Sequence, residues 1–82
     1  MTPDDEIDAR GLLCPLPVLR ARKRLIGMAP GQVLRLLASD PMAAIDLPHF
    51  CAEAGHAFLG VEPLGTEAPG AAQAYTIRRG QG

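Results

Sequence analysis

Apolar positions along the chain fall into short runs separated by turn-forming residues, and the period of each run sets the element it predicts. Ile7, Ala9, Leu12 and Leu13 give a short strand over residues 6–13. Beyond Pro15, Val18, Ala21, Leu25 and Met28 recur at helical spacing, with Leu19 and Ile26 widening the stripe, which predicts a first helix over residues 15–28. Arg20, Lys23 and Arg24 fall on its other face, while Arg22 lies inside the apolar arc and must reach past it to water. Gly27 and the turn Ala29-Pro30-Gly31 stop this helix. Residues 32–39 then carry Val33, Leu34, Leu36, Leu37 and Ala38 with only Arg35 between them, as a central strand does.

Asp40-Pro41 predicts a second helix, with Asp40 as N-cap and Pro41 in the first helical position. Met42, Ile45, Cys51 and Ala54 share one face, Pro48 predicts a kink or a restart capped by Asp46 or Leu47, and Gly55 closes the segment. Ala57, Leu59 and Val61 alternate over residues 56–64, residues 65–72 are small and polar as in a mobile loop, and residues 74–79 alternate as a last, antiparallel strand. Residues 1–5 are expected to be a loose leader and residues 80–82 a tail of a single domain spanning 1–82. The order β-α-β-α-β-β predicts an α+β fold, a two-layer α/β sandwich whose four-stranded mixed sheet carries both helices on one face. The opening strand–helix–strand unit calls for parallel strands and a right-handed crossover.

Composition narrows the functions open to such a fold. A chain of 82 residues buries only about three fifths of its unfolded surface, which leaves no room for a deep substrate cavity. Nine acidic and eight basic residues give a net charge of −1, so no global field draws the chain to nucleic acid or anionic membrane. Trp is absent and aromatic residues are few, so no platform for stacking bases is evident. Asp4, Asp5, Glu6 and Asp8 are the reverse of a secretory leader's basic start, and no run approaches the ~20 apolar residues of a membrane span. A cytoplasmic location is expected, where two cysteines are free thiols rather than a disulfide.

The candidate chemistry sits in Gly11-Leu12-Leu13-Cys14-Pro15-Leu16-Pro17. Proline lacks an N–H and fits the first helical turn, so Cys14 can be N-cap with Pro15 and Pro17 at N1 and N3. A start at Pro17 is the other possibility, because a residue preceding proline avoids helical geometry. Either way Cys14 lies within about one turn of a helix N-terminus, whose partial positive charge is expected to lower the thiol pKa from ~8.5 toward neutrality. The Leu16 N–H is then the main local donor for a thiolate, and a buried, inert cysteine is the alternative. Pro17 stands where a C-x-x-C redox motif has its resolving cysteine, and no general base is evident beside Cys14. A lone activated thiol can receive a group, hold it and hand it on. His49, Cys51 and His56 match no zinc spacing with Cys14, so neither metal nor cofactor is expected, and Cys51 is expected in the core.

The heptapeptide resembles the G-L-x-C-P-x-P signature of the TusA/SirA-like sulfur carrier family. The similarity continues through Arg22-Lys23, Pro30-Gly31, Asp40-Pro41, Asp46-Leu47-Pro48-His49-Phe50-Cys51, Gly55-His56 and Tyr75-Thr76-Ile77-Arg78-Arg79, spanning residues 7–79. The resemblance implies the same fold and a sulfur-transfer protein without a self-contained active site. In this reading Cys14 takes up sulfane sulfur as a persulfide from a cysteine desulfurase or rhodanese-like donor. It passes that sulfur to an acceptor serving tRNA thiolation, sulfur metabolism or sulfur oxidation, while Gly11, Pro15 and Pro17 shape the geometry. Leu16 is apolar where many members carry a charge, which leaves the partner open. Arg20, Lys23 and Arg24 are the candidate partner-binding residues; no membrane and no direct nucleic-acid contact are expected. The alternative is a small RNA-binding or regulatory module that uses this basic face and keeps Cys14 for structure.

Overall fold

Six elements follow one another in the computed structural model, which describes residues 2–64 and 72–81. They are β1 (Asp5–Asp8), α1 (Leu16–Ile26), β2 (Val33–Ala38), α2 (Ala43–Ala54), β3 (Ala57–Pro63) and β4 (Gln73–Arg78). The strands form one sheet in the order β1-β2-β4-β3. β1 and β2 are parallel, with α1 supplying the crossover that parallel neighbours need, while β4 runs antiparallel to both β2 and β3. The loop expected over residues 65–72 lies, except for Ala72, outside the described residues.

The alternation of side chains along β2 explains why both helices pack on the same face. Leu34, Leu36 and Ala38 point to one side and stand in register with Ile7 of β1 and with Tyr75 and Ile77 of β4. These residues join Ala21 and Leu25 of α1 and Ala43, Leu47 and Cys51 of α2 in one core. Each helix thus buries a line at i, i+4 and i+8: Pro17, Ala21 and Leu25 on α1, and Ala43, Leu47 and Cys51 on α2.

Several boundaries depart from expectation for identifiable reasons. β1 ends at Asp8, because the chain turns where the Asp8 carboxylate accepts the Arg10 N–H (3.1 Å) and pairs with the Arg10 guanidinium (2.8 Å). Leu19 and Ile26, expected to widen the core stripe of α1, are 50% and 65% exposed, and Arg22 lies wholly on the solvent side. α2 neither breaks nor restarts at Pro48: the donor missing there would have reached the carbonyl of Ala44, which lies on the exposed side of the helix where water can replace it. The buried line of α2 contains Cys51, but Met42, Ile45 and Ala54 are exposed. In β3 the register slips between Phe58 and Gly60, so Phe58 packs on the core, Val61 falls opposite Tyr75, and Leu59 is exposed.

Asp4 and Gly80, near the two limits of the described residues, are both held by hydrogen bonds. Asp4, in the expected leader, donates its N–H to Val33 O (2.8 Å) and accepts the Val33 N–H on its carboxylate (2.7 Å). At the other end Gly80 donates to His56 Nδ1 (2.9 Å), so neatly stacked on Gly55 that a Cβ on Gly80 would overlap the Gly55 carbonyl.

Candidate functional site

α1 begins one residue later than the thiol requires to be its cap. Pro15 occupies the N-cap position, Pro17 is buried in the first turn, and Cys14 stands just ahead of the helix, exposed. The Cys14–Pro15 peptide bond is cis. Gly11 opens the loop at φ +85°, a left-handed conformation suited to glycine, and donates its N–H to Ser39 Oγ (2.9 Å). This ties the loop to the C-terminal end of β2.

The next residue after Ser39 completes the tether. Asp40 accepts the Cys14 N–H on Oδ2 (2.6 Å) and the Met42 N–H on Oδ1 (3.0 Å), so one carboxylate holds both the thiol loop and the entry to α2. Those two bonds keep the Asp40 pKa below the ordinary carboxylate value. The regular helix starts only at Ala43, with Met42 in the cap position, but the Asp40 side chain still serves an amide of the entry turn.

A second carboxylate meets the sulfur itself. The Cys14 thiol donates to Asp46 Oδ2 across 3.0 Å, from a residue 32 positions away in the sequence. The pKa of Cys14 is accordingly raised: by this hydrogen bond first, then by partial desolvation, then by the charges of Asp46 and Asp40. The lowering expected from the helix start does not occur, since a terminus carries roughly half an elementary charge while Asp46 presents a whole one in contact with the sulfur. Nor is the Leu16 N–H available to a thiolate, because it donates to Leu13 O (2.9 Å). Sequence reasoning missed Asp46 as a partner of the thiol. The one signal for it was its place in the Asp46-Leu47-Pro48 stretch of the family resemblance.

The remaining candidates separate. Arg20, Lys23 and Arg24 line one groove with Asp5 and Ile7, and within it Arg24 is paired with Asp5 (2.6 Å). Several apolar side chains on the elements that carry these contacts are exposed: Leu13, at 70%, and Leu16 beside Cys14 in the chain, Leu19 on α1, and Met42 and Ile45 at the start of α2. Cys51 is buried with its pKa pushed up to about 11 by desolvation. His49 lies beside Glu53 (3.5 Å), and His56 accepts the Gly80 N–H. Among the described residues no group of three or more His, Cys, Asp or Glu side chains is arranged to hold a metal ion.

These elements define a class of small α+β sandwich with an exposed thiol, Cys14, on a loop tethered to its sheet. The family comparison gives this class its name. The family model for sulfurtransferase TusA matches residues 5–78, and the chain belongs to that family, whose proteins relay sulfur between partner proteins. Its fold is similar to the crystal structure of a SirA-like protein from Desulfitobacterium hafniense, with a TM-score of 0.71 and 28% sequence identity over 94% of this chain and 99% of that one.

Proposed function

We propose that Cys14 carries sulfane sulfur as a persulfide, loaded by a cysteine desulfurase or rhodanese-like protein and handed to an acceptor serving tRNA thiolation, sulfur metabolism or sulfur oxidation. The observation that carries the proposal is the exposed Cys14 at the head of α1, on the family's signature and with Pro17 in place of a second thiol. In such a transfer the acceptor sulfur attacks the terminal sulfur of a donor persulfide. An exposed thiol suits this step, because the donor protein brings the rest of the site.

The docking surface is α1 together with the exposed apolar side chains beside Cys14 in the chain. Leu16, Leu19 and Ile26 stand on the solvent side of the helix with Lys23 among them, and exposed apolar side chains grouped on one helix face offer a contact surface. Arg20 and Lys23 supply charge beside it for an acidic partner, and the cytoplasm is where this relay would operate.

Incubation with a cysteine desulfurase and cysteine, followed by intact-mass measurement, tests the proposal. A gain of one sulfur atom that reductant reverses and Cys14→Ser abolishes is the expected result. Salt-sensitive RNA binding that Cys14→Ser leaves untouched and charge reversal at Arg20 and Lys23 removes, with no sulfur gain, would overturn it.

A further inference from the structure

The sulfur atom that would carry the cargo lies against a carboxylate, an odd neighbour for a group that is to become an anion. Asp46 Oδ2 stands 3.0 Å from Cys14 Sγ, and Asp40 sits on the backbone of the same residue. The groups that act on the thiol are therefore both acidic. Asp46 is held in place by α2, whose Ala43, Leu47 and Cys51 are locked into the core, so the carboxylate is a fixed part of the scaffold rather than a passing contact. The loop carrying Cys14 is fixed too, by Gly11 on Ser39 and by Cys14 on Asp40.

Loading changes what Asp46 can do. In the transfer, Cys14 Sγ forms a bond to the sulfane sulfur of a donor persulfide while the donor's own S–S bond breaks and its electron pair stays on the donor sulfur. The proton that leaves Sγ ends on that donor thiolate, so sulfur moves with no net oxidation. The empty carrier has a proton on Sγ to give Asp46. The loaded carrier has none there, and because a persulfide is a stronger acid than its parent thiol, it bears a negative charge beside two carboxylates.

We propose, resting on the relay reading above, that Asp46 sets how weakly this carrier holds its cargo: it stabilises the empty thiol through the Sγ–H···Oδ2 bond, repels the loaded persulfide, and so biases Cys14 toward giving sulfur up. The raised pKa of Cys14 is the same preference seen in the proton equilibrium. A binding site that favours the product of unloading is what an intermediate in a relay needs if sulfur is to move onward rather than accumulate.

The test is an equilibrium partition. Wild type, Asp46→Asn and Asp46→Ala are each brought to equilibrium with a fixed ratio of glutathione persulfide to glutathione, and the loaded fraction is read by intact mass, with circular dichroism to verify the fold. Both variants should raise the ratio of loaded to empty protein by about fivefold or more, because a hydrogen bond to a charged acceptor is lost from the empty state alone. In the same variants, alkylation of empty Cys14 by iodoacetamide at neutral pH should speed up several-fold as the thiolate becomes easier to form. A loaded ratio that is unchanged or lower in the folded variants overturns this proposal while wild-type loading at Cys14 leaves the relay standing. Absence of wild-type loading at Cys14 overturns the relay and this proposal together.

Discussion

Two thiols share this small domain, and their surroundings are opposite. Cys14 is open to solvent and in contact with a carboxylate, whereas Cys51 is buried on the core side of α2. The Cys51 thiol titrates near 11 in the folded chain against an ordinary value of 9.0. Its stabilising contribution is therefore complete below about pH 9 and disappears as pH rises through about 11, because the unfolded chain releases its proton first. Thermal melts recorded across this range should show Tm falling with rising pH, and the fall should be shallower in Cys51→Ala, whose lower starting Tm reflects the cavity it leaves. The proline-flanked helix start was legible in the sequence, with Cys14 just ahead of α1 and Pro17 in its first turn, although Pro15 rather than Cys14 is the cap. Asp46 was not legible, because it reaches the thiol from another helix, and that contact depends on how α2 is rotated against the sheet.

At the scale of elements, every helix and strand was legible in the pattern of apolar residues and turn formers, while faces and boundaries were not always so. α2 is the instructive case. Its apolar residues outnumber those it can bury, so Met42 and Ile45 competed with Ala43 and Leu47 for the core face, and packing against β3 and α1 decided in favour of the Ala43, Leu47 and Cys51 line. β3 failed in another way, since a period of two cannot be read across a bulge that adds a residue to one strand. Leu47 is wholly buried, and Leu47→Ala should cost about 2–5 kcal/mol in urea unfolding. Ile45→Ala, on a residue 64% exposed, should stay within about 0.5 kcal/mol.

For the molecule as a whole, the ends matter more than their composition suggested. Gly80 sits in an expected tail but packs on the end of α2, and Gly80→Ala should lower Tm by several degrees, because the added Cβ meets backbone rather than a side chain that can swing aside. The basic ridge of α1 should be felt only between proteins. Arg20→Glu with Lys23→Glu is expected to slow loading by a protein donor several-fold and leave loading by a small-molecule persulfide unchanged, which parallel mass time courses would reveal.

The outer strands bear on how such a molecule meets its neighbours. β1 has only four residues, three of them acidic, with Asp5, Glu6 and Asp8 paired to Arg24, Arg35 and Arg10, and β3 is bent by its bulge and ends at Pro63. A free sheet margin is otherwise a template for annealing with another chain, and short, charged or bulged strands blunt it. Backbone zippering with other chains is thereby disfavoured, so that copies of this domain crowded together are kept from annealing edge to edge.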